Sequence, residues 1–272
     1  MTWIDALILG IVQGLAEFLP ISSSGHLEIF NQILGLELNG SDALDFDATL
    51  HVATVLSTIV VLRKEFVPLC TAFFTWRKGP DLTLVWKLIL SAVPVAIVGF
   101  CFKDTLESFF GGQLRFVGIF LLITAALLTF AYVFRTRPLE LHRGRRPRSI
   151  SWLDALVIGV AQAVAVLPGL SRSGTTIATG ILIGDKREEV ARFSFLMVII
   201  PILGNALLDI KDYLTGESVS QAVGLLPLAV GFMSSFIVGC LACRWMLDIV
   251  RKGKLVYFAI YCLAVGILCI CW

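Results

Sequence analysis

Several side chains capable of acid–base and nucleophilic chemistry are grouped near the start of the chain. Glu17 follows Gln13 by four residues, a spacing that places both side chains on one face of a helix. Ser22 and Ser23 come next, and His26 follows about one turn later. A carboxylate within an apolar stretch is costly to bury, so Glu17 indicates a functional site with a partner, an ion or water. Serine and histidine three residues apart add a candidate nucleophile and its base.

A second polar stretch has the composition of an anion-binding site. Pro168 and Gly169 interrupt an apolar run, and a helix is expected to begin close to Ser171. Unpaired N–H groups at a helix N-terminus, hydroxyl donors and the guanidinium of Arg172 all favour phosphate. The residues predicted to bind phosphate are Ser171, Arg172, Ser173, Thr176 and, from the first stretch, Ser22.

The two stretches occupy equivalent positions in an internal repeat. A shift of 149 residues aligns Trp3 with Trp152 and continues without a gap through the Ser-x-Ser-Gly motif. The identical pairs include Trp3/Trp152, Asp5/Asp154, Gln13/Gln162, Ser22/Ser171, Ser24/Ser173 and Gly25/Gly174. Shared apolar bias does not explain a repeated tryptophan, glutamine and serine–glycine motif. We predict a single membrane domain over 1–272, with repeats at about 1–137 and 150–272 and a basic cytoplasmic linker at 138–149.

The two halves differ where the chemistry would occur. Val166 stands opposite Glu17 in the alignment, and Arg172 stands opposite Ser23. The first stretch therefore carries the reacting groups and the second carries the phosphate clamp. Neither half is expected to work alone.

Two repeated aspartates have a simpler explanation. Asp5 and Asp154 lie three residues after Thr2 and Ser151, which is the spacing of a capping box at the start of a helix. We therefore predict that both aspartates are structural.

The composition is that of a protein embedded in a bilayer. Hydrophobic residues make up 57% of the 272 residues and charged residues 15%, whereas soluble domains have about 25% charged residues. A net charge of +2 gives no sign of nucleic-acid binding. Membrane-crossing helices are predicted at about 46–62, 84–102, 114–134, 193–210, 223–243 and 255–272.

The apolar runs that hold the two polar stretches are each broken in the middle. About 16 residues precede the break and about 10 follow it, too few for two spans of about 20 residues. A re-entrant helical hairpin fits these lengths, and its turn should face an interior cavity because backbone polar groups at membrane depth need partners. A re-entrant hairpin returns to the side from which it entered, and three spans follow each hairpin. Because three is an odd number of crossings, the second half starts on the opposite side and is inverted relative to the first. The predicted fold class is an all-α polytopic membrane protein with an inverted-topology repeat.

Loop charges support this inversion. Of the 22 Lys and Arg residues, 18 fall in predicted cytoplasmic loops at 63–78 with Lys87, 135–148, 186–192 and 244–254. The predicted outer loops hold Lys103, Arg115 and Lys211. Both termini are therefore predicted to be periplasmic.

The string from Gln13 to His26, with Pro168 to Thr176, closely resembles the bacterial undecaprenyl-diphosphate phosphatase family associated with bacitracin resistance. The resemblance covers essentially the whole chain. It implies a multi-pass enzyme of the bacterial inner membrane that converts undecaprenyl diphosphate to the monophosphate lipid carrier for cell-wall synthesis, with a divalent cation, at a site open to the periplasm. The family has Glu or Gln at the first motif position, so Gln13 leaves Glu17 as the motif's only carboxylate.

The resemblance and the residue chemistry together suggest roles. Arg172 would bind the diphosphate and neutralise charge in the transition state. Glu17 would hold the cation or act as a base, since Mg²⁺ or Ca²⁺ prefers hard oxygen ligands. Ser23 is the predicted nucleophile with His26 as its base, and a water activated by Glu17 or His26 is the alternative. Two further candidate site residues are Gln13 and His51.

Two other functions fit parts of the pattern. A lipid-phosphate transporter or flippase also uses inverted repeats and broken helices. The grouping of Ser, His, Glu and Arg favours bond cleavage, because a carrier needs no nucleophile–base pair. A hydrolase of another lipid phosphate would differ only in its apolar groove. The expected partners are a prenyl diphosphate substrate and membrane lipids, and a homodimer is left open.

Overall fold

The computed structural model describes residues 1–36, 40–102, 114–136, 148–215 and 223–272. Within these ranges the chain is helical, apart from one isolated parallel bridge between Arg148 and Asp185. The helices are α1 (Trp3–Ala16), α2 (Ser23–Ile33), α3 (Gly40–Val61), α4 (Arg63–Thr75), α5 (Pro80–Cys101), α6 (Leu114–Thr136), α7 (Trp152–Val164), α8 (Arg172–Ile183), α9 (Arg187–Met197), α10 (Ile199–Thr215), α11 (Leu225–Lys252) and α12 (Val256–Cys271).

Several of these helices have the length and composition of membrane spans. Among the described residues, four stretches are long and apolar enough to cross a bilayer: Pro80–Cys101, Leu114–Phe134, Arg187–Leu208 and Leu225–Lys252. The shorter apolar stretches Phe46–Val61 and Val256–Cys271 lie in the other two predicted spans. The all-helical membrane class predicted from the sequence is therefore confirmed.

The two predicted hairpins are present as pairs of short helices. Helices α1 and α2 contain 14 and 11 residues and are separated by the turn around Pro20. Helices α7 and α8 contain 13 and 12 residues and are separated by the turn around Pro168. Each helix is shorter than the ~20 residues that cross a hydrocarbon core. The interruption read from proline and glycine is confirmed at both positions.

Both hairpins begin with the capping boxes predicted from the sequence. The Thr2 N–H donates to Asp5 Oδ2 at 2.7 Å, and the Ser151 N–H donates to Asp154 Oδ2 at 2.8 Å. The hydroxyls of the two cap residues accept hydrogen bonds from the aspartate N–H groups in return. The repeated aspartates are therefore structural.

The hairpins pack against helices of the opposite half. Helix α1 lies along α11, and its counterpart α7 lies along α5. Small residues allow this close approach: a Cβ added at Gly14 would lie 2.8 Å from the Ser235 carbonyl oxygen, and one at Gly159 would lie 2.5 Å from the Ser91 carbonyl oxygen. The final helices of the halves, α6 and α12, also pack together. Each hairpin is thus positioned mainly by the other half.

One predicted loop is largely helical, and another lies mostly outside the described residues. Residues 63–78 were expected to form a loop, but most of them form helix α4, which buries Leu69 and Ala72 and ends at Trp76 in a left-handed conformation with φ of 50°. The buried side chains explain why this segment folds back on the protein. The 138–149 linker lies outside the described residues except for Arg148 and Ser149, as does Lys103.

Candidate active site

Glu17 is the central residue of the site. It follows the last residue of α1, and its Oε2 accepts hydrogen bonds from Ser23 Oγ at 2.8 Å and from Gln13 Nε2 at 3.1 Å. Only 7% of the Glu17 side chain is exposed. The helical spacing predicted the contact with Gln13, whereas the contact with Ser23 depends on how the chain turns after Pro20.

Two basic side chains approach Glu17 from other parts of the fold. Arg172 Nη2 lies 3.5 Å from Glu17 Oε1, and His51 Nε2 lies 3.6 Å from Glu17 Oε2. The Arg172 and His51 side chains are 27% and 20% exposed, so both remain partly open. A buried carboxylate needs such partners, since an unpaired charge in an apolar interior is strongly unfavourable. The structure therefore brings both hairpins and α3 to one carboxylate.

The turn before α2 directs Ser23 toward Glu17. Ser22 caps α2: its Oγ accepts a hydrogen bond from the Gly25 N–H at 3.2 Å. Its backbone has φ of 71° and ψ of 103°, a conformation that non-glycine residues rarely adopt. Ser23 then becomes the first residue of α2, with its hydroxyl turned back to the end of α1. Uncommon backbone geometry of this kind clusters at functional sites.

The turn before α8 is built in the same way and docks on the first. Ser171 Oγ accepts a hydrogen bond from the Gly174 N–H at 3.1 Å, and the Ser171 N–H donates to Thr124 Oγ1 at 3.1 Å. Ser173 Oγ donates to the Leu19 carbonyl at 3.1 Å, which ties this turn to the first hairpin. The two turns are therefore in direct contact.

The hydroxyls predicted to bind phosphate have other partners in this structure. Ser22 and Ser171 cap helices, and Ser173 joins the two turns. Thr176 donates to the Arg172 carbonyl at 2.8 Å, contacts Ser194, and is fully buried. These hydroxyls build the two turns, because a buried hydroxyl is satisfied by the nearest backbone carbonyl or N–H. Among the predicted phosphate ligands, Arg172 is the one whose side chain remains partly open.

His26 does not pair with Ser23 as the sequence reading proposed. Its Nδ1 lies 2.8 Å from the Ser22 carbonyl oxygen, and its Nε2 lies 2.8 Å from the Tyr261 hydroxyl. Both ring nitrogens are therefore engaged, and the Ser23 hydroxyl donates to Glu17 instead. The correction follows from the turn, which places the Ser22 carbonyl, four residues before His26, within reach of the imidazole.

His51 and Gln13, the two further candidates, both contact Glu17. His51 Nδ1 lies 2.8 Å from the Asp47 carbonyl oxygen, so this nitrogen carries the proton and Nε2 faces the carboxylate. Gln13 is fully buried, and its Oε1 has no hydrogen-bond partner within the described residues. If the amide nitrogen and oxygen of Gln13 were exchanged, Oε1 would face the negative Glu17 carboxylate. Repulsion between these oxygens therefore fixes the amide with Nε2 toward Glu17.

The orphaned Gln13 oxygen tests whether a divalent cation fits this site. The described residues contain no group of three or more His, Cys, Asp and Glu side chains suited to a metal ion. Glu17 nevertheless offers a carboxylate, and Gln13, which contacts it through Nε2, offers a buried amide oxygen without a partner within the described residues. Mg²⁺ often binds through one or two protein oxygens plus substrate phosphates. The residues present therefore fit a cation that is shared with a phosphate ligand.

The fold and the site define a class: helical membrane proteins whose reactive groups meet between two broken helices, one from each half of the chain. The chain belongs to the family described as bacitracin resistance protein BacA, whose profile matches residues 6–268.

Several similar relatives carry the name undecaprenyl-diphosphatase. The protein from Parabacteroides distasonis is 52% identical over 99% of this chain and 98% of its own length. The protein from Bacteroides fragilis is 50% identical over the same shares, and the one from Bacteroides thetaiotaomicron is 49% identical over 98% of this chain and 97% of its own length. The likeness therefore extends through both hairpins.

Proposed function

We propose that this protein is an undecaprenyl-diphosphatase, which hydrolyses undecaprenyl diphosphate to undecaprenyl phosphate and inorganic phosphate. The relatives named undecaprenyl-diphosphatase share about half of the residues along the whole chain. The observation that carries the proposal is the contact of Glu17 with both Ser23 and Arg172. Phosphoryl transfer to a hydroxyl needs a nucleophile, a base and a positive charge that binds phosphate. Ser23, Glu17 and the Arg172 guanidinium supply these three in one cluster.

The reaction begins with attack by Ser23. As Ser23 Oγ bonds to the terminal phosphorus, its proton passes to the Glu17 carboxylate that it already contacts at 2.8 Å. The bond between this phosphorus and the bridging oxygen breaks, and undecaprenyl phosphate leaves with the electron pair. Glu17 passes this proton to the departing undecaprenyl phosphate and is a carboxylate again. Water then attacks the phosphoserine and Glu17 takes the water proton. The bond between Ser23 Oγ and phosphorus breaks, Glu17 returns the proton to Ser23 Oγ, and inorganic phosphate departs. This assigns to Glu17 the base role first given to His26.

Arg172 and His51 flank the reacting groups on either side. Arg172 is the first residue of α8, so its guanidinium and the start of that helix both favour the developing negative charge. His51 lies against Glu17 Oε2, the same oxygen that accepts from Ser23. With its proton on Nδ1, His51 has a free lone pair on Nε2 that can accept the proton that Glu17 receives.

A divalent cation, Mg²⁺ or Ca²⁺, completes the proposed site. Glu17 and Gln13 Oε1 would hold it together with oxygens of the substrate. When bound, the cation would neutralise phosphate charge in the transition state.

The proposed placement in the membrane follows from the paired packing of the halves and from the loop charges. The two hairpins are re-entrant, the two halves form an inverted-topology repeat, and both termini lie on the periplasmic side of the inner membrane. Support comes from the exchanged contacts, in which α1 packs on α11 and α7 packs on α5. The site opens toward the periplasm, where the diphosphate head group of the lipid is exposed.

Phosphate release from undecaprenyl diphosphate by the purified full-length protein tests this function. We expect phosphate release that stops when a chelator is added. Glu17→Gln should lower the rate of phosphate release about a thousandfold. Glu28→Gln is the matched control, because Glu28 lies on α2, outside the Glu17 cluster. Tight binding of the lipid without phosphate release would instead favour the transporter alternative.

A further inference from the structure

Tyr261, in the last helix of the chain, makes a double contact with His26. The Tyr261 hydroxyl lies 2.8 Å from His26 Nε2, and the two rings are stacked with centroids 5.6 Å apart and an interplanar angle of 16°. The residues are 235 positions apart in sequence. A contact over this distance is made by the tertiary fold and not by the local turn.

The direction of each hydrogen bond follows from its partners. A backbone carbonyl only accepts, so His26 Nδ1 carries a proton and donates it to the Ser22 oxygen at 2.8 Å. In the neutral ring Nε2 then has a lone pair, and the Tyr261 hydroxyl donates to it. Tyr261 therefore fixes both the tautomer and the orientation of the imidazole.

The imidazole in turn holds the uncommon backbone of Ser22. The Ser22 carbonyl accepts from the His26 ring and also from the His26 N–H at 3.2 Å. Because Ser22 has a positive φ of 71°, this conformation needs such contacts to persist. Ser23 follows directly, so the direction of its hydroxyl depends on the same turn.

Helix α12 is well placed to act as the anchor. It crosses α6 closely, since a Cβ added at Gly118 would lie 2.7 Å from the Gly266 carbonyl oxygen. The residue after Tyr261 also contacts the turn, because Cys262 Sγ lies 3.5 Å from the Pro20 carbonyl oxygen. Two consecutive residues of α12 thus hold the turn at both of its ends.

We propose that Tyr261 is a positioning residue, which acts through His26 to hold the Ser22 turn so that Ser23 faces Glu17. The proposal rests on the proposed hydrolase function. The contacts described for Tyr261 are with His26, and none is with Ser23 or Glu17. Tyr261 should therefore affect the rate of the chemical step through His26. Substrate affinity, which depends on Arg172, should be little affected.

Tyr261→Phe tests this role because it keeps the stacked ring and removes only the hydroxyl. We expect kcat to fall about five- to tenfold, the size expected for one hydrogen bond, with KM unchanged. Tyr257→Phe is the matched control: Tyr257 lies one turn earlier on α12 and is 63% exposed. In a His26→Ala background, Tyr261→Phe should have no further effect on kcat.

A spectroscopic readout separates this proposal from the hydrolase function. In protein labelled with ¹⁵N-histidine, the Nε2 signal of His26 should move in Tyr261→Phe and stay in place in Tyr257→Phe. An unmoved signal, or an unchanged kcat, would overturn the positioning role. If the His26 signal moves in Tyr261→Phe but the wild-type protein releases no phosphate, the anchoring of His26 is supported and only the proposed function is contradicted.

Discussion

Ser23 and Arg172 are the first residues of two equivalent helices, α2 and α8, and both contact the same carboxylate. Ser23 Oγ lies 2.8 Å from Glu17 Oε2, and Arg172 Nη2 lies 3.5 Å from Glu17 Oε1. The two positions align when the sequence is shifted by 149 residues, and the corresponding helix starts supply a hydroxyl in one half and a guanidinium in the other.

Removal of the Ser23 hydroxyl should abolish turnover. We expect Ser23→Ala to lower kcat about a thousandfold or more, because it deletes the proposed nucleophile. Ser24→Ala is the matched control: Ser24 is the next residue on α2, and its Oγ lies 3.5 Å from Ser22 Oγ without contact to Glu17. Phosphate release by both purified proteins decides the point, and equal activities would eliminate a covalent role for Ser23.

Replacement of Arg172 by lysine should separate charge from geometry. Lysine keeps the positive charge near Glu17 but lacks the planar fork that grips two phosphate oxygens. We expect kcat/KM for undecaprenyl diphosphate to fall about a hundredfold in Arg172→Lys. Arg192→Lys, which alters an exposed ion pair with Glu188, should leave kcat/KM unchanged. Full activity of Arg172→Lys would mean that bidentate contact is unnecessary.

The orphaned oxygen of Gln13 predicts how the site responds to cations. Gln13→Glu places a second carboxylate beside Glu17, so it should lower the Mg²⁺ or Ca²⁺ concentration that gives half-maximal activity, whereas Gln13→Ala should raise it. Titration of phosphate release with each cation measures the change. The same half-maximal concentration in all three proteins would exclude Gln13 from the cation site.

The two capping aspartates should differ in their contribution to stability. Asp154 is buried and also accepts from Arg148 Nη2 at 2.6 Å, whereas Asp5 is more open. We expect Asp154→Ala to destabilise the fold by about 1–2 kcal/mol, because it removes a cap and one of the contacts of the partly exposed Arg148 guanidinium. Asp5→Ala should lower Tm by less. Thermal unfolding in one detergent compares the two, and a larger effect of Asp5→Ala would contradict the assignment.

Local patterns in the sequence predicted much of the fold. The capping boxes, the two broken hairpins and the membrane-length helices each depend on residues close together in the chain, as Thr2 and Asp5 illustrate. Helix α4 was missed because it begins with three charged residues, Arg63, Lys64 and Glu65, and contains Pro68. Its burial becomes visible only once the neighbouring helices are in place.

The sequence predicted which residues form the site better than it predicted the contacts between them. The sequence indicated Glu17, Ser23 and Arg172, but it paired Ser23 with His26, three residues away. The actual partner of His26 is Tyr261, which lies within an apolar span and carries no local signal of a function. Spacing along a helix predicts neighbours of one turn, whereas contacts made across helices depend on packing such as that of Gly118 against Gly266.

A search for a phosphoserine at Ser23 tests the central claim most directly. Full-length protein would be mixed rapidly with undecaprenyl diphosphate labelled in its terminal phosphate, quenched in acid during the first turnover, and digested for mass spectrometry. The account predicts that label appears on the peptide containing Ser23 before it appears in free phosphate, and that Ser23→Ala gives neither. Free labelled phosphate formed at the normal rate, with no label on Ser23 at any time, would contradict it.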